Sequence, residues 1–150
     1  MNRTRLISNF QEEMELESRV VMTATLIGLN IAGVSNNNVA PPDTMGSIGP
    51  NHYAQFLNGS FNVYNRTTGA NLVSKTDTAF WQGVTGISYF DYAPGLGDPR
   101  IIYDSLSDRW FALQININFS GNKVLVARSN TNDPTGGWKG ASYFGSATGL

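Results

Sequence analysis

The fold of this chain is decided by the stretch Arg100-Ile101-Ile102-Tyr103-Asp104-Ser105-Leu106-Ser107-Asp108-Arg109-Trp110-Phe111-Ala112-Leu113-Gln114-Ile115-Asn116. From residue 109 to 118, the odd positions after Arg109 carry large apolar side chains, whereas the even positions are rich in amides. Strict alternation is typical of a β-strand, because successive side chains point to opposite faces. We therefore expect a strand whose apolar face consists of Phe111, Leu113, Ile115 and Ile117.

Short strands are predicted on both sides of this one. Residues 100–104 precede it across the polar turn 105–108, and residues 123–128 follow it after Ser120-Gly121-Asn122. A fourth strand, at 138–144, follows a turn rich in Asp, Pro and Gly. Short connections place consecutive strands side by side and antiparallel. The result is a four-stranded meander, which is the unit of a β-propeller blade.

A similar meander is predicted upstream. The dipeptide Asn58-Gly59, a strong hairpin signal, joins strands at 52–57 and 60–65, and a third strand follows at 71–75. The first strand of this meander begins at residue 52, and the first strand of the later meander begins at residue 100. This offset matches the roughly 40–50 residues of one propeller blade. The Pro- and Gly-rich residues 41–51 are expected to form a rigid, irregular entry loop.

Composition excludes several classes of function. The chain has 150 residues and a formal net charge of −1. Its lysines are Lys75, Lys123 and Lys139, too few for a phosphate-binding surface, so we expect no nucleic-acid partner. Without cysteine there is no disulfide, zinc finger or thiol nucleophile. No apolar run reaches the roughly 18 residues of a membrane helix, so no membrane span is expected.

Three regions are expected along the chain. Residues 1–22 are a polar tail with an acidic cluster and too few apolar side chains to form a core, so we expect disorder there. Residues 23–40 are predicted to form a strand, around 23–32, and an Asn-rich linker. Residues 41–150 are expected to hold the first blades of a propeller.

A short motif near the N-terminus suggests where the protein resides. Leu16-Glu17-Ser18-Arg19-Val20-Val21-Met22-Thr23-Ala24 resembles the Leu-Glu-Pro-Arg sorting motif of many large exported bacterial proteins. The sequence departs from that motif at Ser18, where the family has Pro. The resemblance implies an extracellular or cell-surface protein.

A broader resemblance covers residues 41–144. A series of short motifs, taken in order, is similar to the opening of a family of exported bacterial β-propeller proteins. The motifs are Pro41-Pro42-Asp43-Thr44, Gly49-Pro50-Asn51-His52-Tyr53, Gln55, Asn58, Val63-Tyr64, Thr68-Gly69, Gly97-Asp98-Pro99, Tyr103-Asp104, Asp108-Arg109-Trp110, and Asp133-Pro134-Thr135-Gly136 with Trp138. The resemblance implies an all-β fold, an incomplete propeller of about two antiparallel four-stranded meanders.

Two blades do not close a propeller, which needs at least four. Open blades leave unpaired strand edges that favour aggregation. We therefore expect the remaining blades to lie in a longer chain, of which this is the N-terminal part, or the chain to assemble with copies of itself.

Most polar residues of the motifs are expected to stabilise the fold. His52 is the single histidine and is expected to bond a nearby backbone carbonyl. Asp98 and Arg109 are expected to form an ion pair, with Trp110 packing toward the next blade. The structural motif set is Asp43, His52, Asp98, Asp104, Arg109, Trp110, Asp133 and Trp138.

The aspartates also permit two chemical roles. Asp104 and Asp108 flank one hairpin loop and are the pair most suited to lie close together. Two nearby carboxylates serve glycoside hydrolysis, and several oxygen ligands serve Ca²⁺. No calcium-loop motif occurs in the sequence, so structural turns are the favoured interpretation, no cofactor or other metal is expected, and Ca²⁺ stays an alternative.

The connection from Thr76 to Gly97 carries five aromatic residues, Phe80 and the four candidate ligand-binding residues Trp81, Tyr89, Phe90 and Tyr92. It exceeds the roughly 12–15 residues beyond which loops tend to be functional. One interpretation is that these rings pack into the blade core or form a fourth strand. The other is a platform on which a sugar or a partner protein stacks.

Two hypotheses about function follow. The first is a non-catalytic, exported propeller module that binds an extracellular glycan or protein. The alternative is the N-terminal part of a propeller-fold glycoside hydrolase or lyase whose catalytic residues lie elsewhere. Because the sequence shows no nucleophile–base set and no phosphate loop, the non-catalytic module is the favoured hypothesis.

Overall fold

A computed structural model describes residues 29–34, 38–86, 95–116 and 122–145. The sorting motif at 16–24, the whole predicted tail, and the aromatic residues Tyr89, Phe90 and Tyr92 lie outside these ranges. Predictions about them therefore stay predictions. The part of the predicted strand 23–32 that is described, residues 29–32, does not form a strand.

The described chain contains eight strands and one helix. In chain order they are β1 Met45–Ile48, β2 His52–Leu57, β3 Ser60–Asn65, β4 Asn71–Lys75, α1 Asp77–Thr85, β5 Leu96–Asp104, β6 Arg109–Asn116, β7 Lys123–Ser129 and β8 Trp138–Phe144. The strands form two sheets, in the orders β1-β2-β3-β4 and β5-β6-β7-β8. Every neighbouring pair is antiparallel. The prediction of an all-β fold built from two four-stranded meanders is confirmed.

The first sheet gains its fourth strand from the segment predicted to be an irregular loop. Within residues 41–51, Met45–Ile48 forms β1 and pairs with β2. The Tyr53 ring lies over Gly46, where a Cβ atom would be 2.6 Å from the Tyr53 hydroxyl. The entry-loop prediction was therefore wrong for these four residues.

The predicted hairpin between β2 and β3 is confirmed. Gly59 has φ 86°, in the left-handed region that a glycine adopts without a steric penalty. Phe56 pairs with Phe61 across the hairpin, and Ala54 pairs with Val63. These residues are fully or almost fully buried, so one face of the hairpin is part of the core.

Helix α1 occupies the first half of the connection predicted to be a long loop or a further strand. The Thr76 hydroxyl caps its N-terminus by accepting a hydrogen bond from the Ala79 amide, at 3.1 Å. Gly86 ends it in the left-handed conformation, with φ 72°. The helix buries Phe80 and Trp81 against Phe56, Phe61 and Trp138. The prediction that the aromatic residues of this connection pack into the core is correct for these two.

The two sheets stack in the same sense. β1 lies beside β5, and α1 lies beside β8. The Ser47 hydroxyl accepts a hydrogen bond of 2.9 Å from the Tyr103 amide, which joins the two first strands. Gly49, after β1, packs against Trp110 of β6, since a Cβ at Gly49 would lie 2.5 Å from the Trp110 ring. The turns that end β1 and β5 therefore lie at the same end of the molecule.

The buried face of β6 is the face that looks more polar in the sequence. Trp110, Ala112, Gln114 and Asn116 are at most 5% exposed, whereas Phe111 is 37% exposed. The predicted apolar face of β6 is therefore the more exposed of its two faces. Hydrogen bonds explain the reversal, because the buried Gln114 amide is paired with two side chains of helix α1.

Gln114 is the centre of a buried polar network. Its Oε1 accepts a hydrogen bond of 2.7 Å from the Trp81 indole, and its Nε2 donates to Asp77 Oδ2 at 3.2 Å. The same Asp77 oxygen accepts a hydrogen bond of 2.8 Å from the Gly59 amide. The network thus joins the β2–β3 turn, helix α1 and the central strand β6, and satisfies polar groups that burial would otherwise penalise.

The other face of the first sheet is covered by the chain itself. The Val34 amide donates a 3.1 Å hydrogen bond to Gln55 Oε1, and Gln55 is only 7% exposed. Leu29 and Ile31 lie against Gly69, in the turn that follows β3. This second face of the first sheet is therefore covered in part, around Gln55, whereas Ile48 at its edge is 61% exposed.

Candidate interaction surface

The second sheet has an outer face, defined here as the side that points away from the first sheet. Strand pairing places eight apolar residues on it: Ile102, Phe111, Leu113, Ile115, Val124, Val126, Ala141 and Tyr143. Ile102 is 59% exposed and Tyr143 is 60% exposed. No strand or helix within the described ranges packs across this face. A contiguous apolar surface of this kind commonly marks an interaction site.

The outer face of the second sheet is equivalent to the face of the first sheet that packs against the second sheet. Because the two sheets have the same strand order and stack in the same sense, the covered side of the first and the outer side of the second point in the same direction. In the first sheet that side carries Ala54, Phe56, Phe61 and Val63, all in the core. The outer face therefore has the position of a sheet-packing surface, and no sheet formed by the described residues lies on it.

The outer face also carries basic residues, more of them than its counterpart, where Lys75 is in register with Phe61. Arg128 and Lys139 are direct cross-strand partners, and Arg128 also pairs with Phe111. Arg100 pairs with Leu113 in the next row. Like charges in direct register destabilise a sheet. Within the described ranges no carboxylate forms an ion pair with these three residues, so the face favours an anionic group from elsewhere.

Two shallow grooves follow the outer face. One, of about 310 Å³, is lined by Phe111, Val126, Ala127, Arg128, Lys139, Gly140 and Ala141. The other, of about 460 Å³, is lined by residues 45–47 of β1, residues 100–102 of β5 and residues 111–113 of β6. Both linings are mostly apolar with basic groups at the margin.

The predicted structural motifs gather at the turns that connect the strands. Asp108 accepts hydrogen bonds from the Tyr103 hydroxyl and from Asn132 Nδ2, the second at 3.0 Å. The hydrogen bond to Asp108 raises the pKa of Tyr103 above its usual value, because it stabilises the protonated phenol. The Trp110 indole donates to the Asn132 carbonyl oxygen at 2.8 Å. Asp108 and Trp110 thus tie the β5–β6 turn to the β7–β8 connection.

His52 contacts the second sheet through Asp133, not through a backbone carbonyl as predicted. Its Nε2 lies 3.6 Å from Asp133 Oδ1. Burial raises the pKa of Asp133, but hydrogen bonds from the Thr135 hydroxyl and amide and the nearby His52 outweigh it, so the net pKa lies below the usual value. The pair links the start of β2 to the β7–β8 connection.

Asp104 and Asp43 also stabilise turns, as predicted. Asp104 accepts hydrogen bonds from the Ser107 hydroxyl and from the amides of Leu106 and Ser107, and these bonds lower its pKa. Asp43 accepts a 2.8 Å hydrogen bond from Asn58 Nδ2, which attaches the segment before β1 to the β2–β3 hairpin. The described residues contain no group of three His, Asp or Glu side chains placed to hold a metal ion.

The expected ion pair between Asp98 and Arg109 does not form. Arg109 is in register with Asp104, whereas Asp98 lies at the other end of β5, where the register with β6 shifts. Asp98 has φ 53°, so it occupies the irregular position of this bulge. The guanidinium of Arg109 donates instead to the Asp108 carbonyl oxygen at 2.7 Å.

The tryptophans of the predicted sites serve the core. Trp81 is fully buried and bonded to Gln114, so it does not contact a ligand as the platform hypothesis required. Trp110 is fully buried and packs toward the first sheet, not toward a following blade. Trp138 stacks edge-on against Phe61 and Phe80, and its indole donates to the Pro134 carbonyl oxygen at 2.9 Å.

Alternation predicts the apolar face of β6, but it does not show that this face is the more exposed one. A usable signal is the like-charged pair Arg128 and Lys139, each predicted to lie in a strand flanking the β7–β8 turn. Adjacent antiparallel strands place such residues in register when they lie at equal distances from the turn. Two cations in register with an apolar neighbour indicate an exposed face.

Comparison with known proteins gives no relative: no protein-family description, no curated protein and no solved structure matches this chain. No helix in the described ranges has the length and apolar character needed to cross a membrane.

Proposed function

We propose that this chain is an exported, non-catalytic β-propeller module that binds a protein or glycan partner through the outer face of its second sheet. The observation that carries the proposal is the exposed apolar surface at the position where the first sheet packs against its neighbour. In a propeller, successive four-stranded sheets stack in one sense around an axis. The side-by-side placement of β1 and β5, and the same strand order in both sheets, support the proposal.

In a longer chain, the remaining blades are the alternative partner for the outer face, and they would exclude a glycan from it. A following sheet of a longer chain would cover Ile102, Phe111 and Leu113 as the second sheet covers Ala54 and Phe56. The first strands β1 and β5 lie side by side, which is the arrangement of the innermost strands of neighbouring blades. The resemblance of residues 41–144 to exported propeller proteins supports the same proposal.

A non-catalytic role agrees with the use of the described carboxylates. Asp104 and Asp133 each accept hydrogen bonds inside a turn, Asp108 accepts one from Asn132 of the β7–β8 connection, and Asp77 belongs to the buried network. A glycosidase needs one protonated and one ionised carboxyl group facing a cleft. These four acids serve the fold, so no specific observation favours the hydrolase or lyase alternative.

Thiol labelling tests whether the outer face is open. The chain has no cysteine, so a single introduced cysteine reports one position. We expect Phe111→Cys, at nanomolar concentration, to be alkylated at a rate of the same order as Leu106→Cys, a 96% exposed control in the β5–β6 turn. A bound glycan, or a following blade supplied by a longer form of the chain, should slow only Phe111→Cys. A Phe111→Cys variant that is unreactive even when dilute would contradict the proposal.

Export is tested separately with a reporter enzyme that is active only outside the cytoplasm. We expect the full chain fused to this reporter to give activity in a bacterial host, and Arg19→Ala in the sorting motif to reduce it. Arg66→Ala, outside the motif, is the control for expression. An inactive reporter with soluble, folded fusion protein inside the cell would count against export.

A further inference from the structure

We propose that the acidic segment of this chain, defined as residues 10–17 and lying outside the described ranges, packs on the basic part of the outer face and covers it for part of the time. The inference rests on the proposed function in its use of the same face, and it adds an internal competitor for the external partner. It is supported by the charges of the face, the position of the glutamates in the sequence and the reach of the chain between them.

The outer face carries more positive than negative charge. Register and alternation place four described cations on it: Arg100, Arg109, Arg128 and Lys139. Strand β5 contributes two aspartates, Asp104 in register with Arg109 and Asp98 at the bulge. The Asp104 carboxylate already accepts hydrogen bonds from Ser107 and from the Leu106 amide. In the part of the chain that the structure describes, none of the four cations forms an ion pair.

The start of β6 is placed to receive a carboxylate. His52, the first residue of β2, contacts the second sheet, where its Nε2 lies 3.6 Å from Asp133 Oδ1. Arg109 is the first residue of β6 and lies on the equivalent face of its sheet. Its guanidinium donates to the Asp108 carbonyl oxygen, and its Nε has no acceptor among the described residues. A carboxylate beside Arg109 would therefore repeat the contact that Asp133 makes with His52.

The sequence concentrates its negative charge in the acidic segment. Every glutamate of the chain lies there: Glu12, Glu13, Glu15 and Glu17. Residues 10–17 contain no Lys, Arg or Asp, so their four glutamates are uncompensated within the segment. Phe10, Met14 and Leu16 accompany them, so the segment offers apolar side chains as well as carboxylates. A segment with too few apolar residues for its own core can become ordered on a surface that supplies one.

The chain between the acidic segment and the first sheet is long enough to reach the basic part of the face. Leu29 packs against Gly69 in the β3–β4 turn, at the same end of the molecule as the β5–β6 turn. Arg109 directly follows the β5–β6 turn, and Arg128 lies in the next row of the face. Packed sheets lie about 10 Å apart, so a path around the second sheet is roughly 20–30 Å long. Residues 18–28 span up to about 36 Å when extended.

The coverage is partial, because ion pairs between exposed groups are individually weak. We expect the acidic segment to slow alkylation of Phe111→Cys by about two- to fivefold. The rate then stays within the order of magnitude of the exposed control Leu106→Cys, and an external partner can displace the segment.

Carbodiimide cross-linking of the full chain, followed by peptide mass spectrometry, tests the contact. The reagent joins a carboxylate to an adjacent lysine amine, and the chain has three lysines: Lys75, Lys123 and Lys139. In dilute protein, where a tethered segment has a far higher effective concentration than a second copy, we expect residues 12–17 to join Lys139 at least about fivefold more often than Lys75 of β4. Arg128→Gln, which leaves Lys139 in place, should lower this preference, and circular dichroism verifies that the variant is folded. Equal yields at Lys139 and Lys75, or a preference that Arg128→Gln leaves unchanged, overturn the inference.

Labelling of Phe111→Cys, with and without the double change Glu13→Lys and Glu17→Lys, separates this inference from the proposed function. Labelling that the double change accelerates about two- to fivefold supports both. Equally fast labelling of the two chains overturns the inference and leaves the open face in place. Labelling that occurs only after the double change supports the inference and overturns the open face. No labelling of either chain overturns both.

Discussion

The Gln114 network offers the sharpest test of how the two sheets are joined. Gln114→Leu keeps the approximate volume of a fully buried side chain and removes its amide. The Trp81 indole, which donates to Gln114 Oε1 at 2.7 Å, then has no acceptor. Asp77 loses the hydrogen bond from Gln114 Nε2 at 3.2 Å and keeps the one from the Gly59 amide. The change therefore leaves one buried donor unsatisfied and removes one of the hydrogen bonds to Asp77, which still accepts from the Gly59 amide and from Thr78.

The expected cost follows from these two losses. An orphaned buried donor costs about 2 kcal/mol, and the lost hydrogen bond to Asp77 costs about 1 kcal/mol more. We expect Gln114→Leu to lower the free energy of unfolding by about 3 kcal/mol in total. For a chain of 150 residues this corresponds to a fall in Tm of roughly 6–12 °C, measured by thermal or urea denaturation.

A double-mutant cycle separates the hydrogen bond from general packing. Trp81→Phe removes the indole donor, so Gln114→Leu in that background no longer orphans it. We expect the double variant to be more stable than the sum of the single effects by about 1–2 kcal/mol. Gln82→Leu, a partly exposed position on the same helix, is the control and should change stability by less than about 0.5 kcal/mol. A coupling energy near zero would refute the reasoning.

Two further predictions concern contacts between the sheets. Gly49→Ala places a methyl group 2.5 Å from the Trp110 ring. Overpacking of this kind should lower the free energy of unfolding, measured by urea denaturation, by about 1–3 kcal/mol. A neutral result would mean that the Trp110 ring moves aside easily. Asp133 has a lowered pKa in the folded state, so its contribution to stability is present above the unfolded pKa and is lost as pH falls through the folded value. Asp133→Asn should therefore make the decrease in Tm at acidic pH less steep than in the unchanged chain. An equally steep decrease would show that Thr135 and His52 do not stabilise the charged form of Asp133.

The strands and most of their turns follow from local sequence. Alternation marks residues 109–116, and the dipeptide Asn58-Gly59 marks a hairpin, because strand periodicity and left-handed turn residues are properties of short segments. Asp104 could be placed in a turn for the same reason, since the Leu106 and Ser107 donors that it binds lie within three residues. These features require no knowledge of distant contacts.

Helix α1 and strand β1 escaped prediction for different reasons. The cap residues Thr76 and Gly86 are visible in the sequence, but the aromatic residues between them fit a strand as well as a helix. β1 contains two residues with poor strand propensity, Gly46 and Ser47, and exists because β2 offers an edge to pair with. In both cases, tertiary contacts decide between local alternatives.

What the sequence determines by itself is that residues 109–116 alternate between two faces. It does not determine which face is buried, because a period of two is the same for either choice. The tertiary structure decides this by bringing Trp81 and Asp77 to Gln114, so that the buried amide is paired on both its oxygen and its nitrogen. Once that face is inside, Phe111 and its apolar neighbours are outside, and the outer face of the second sheet exists for that reason.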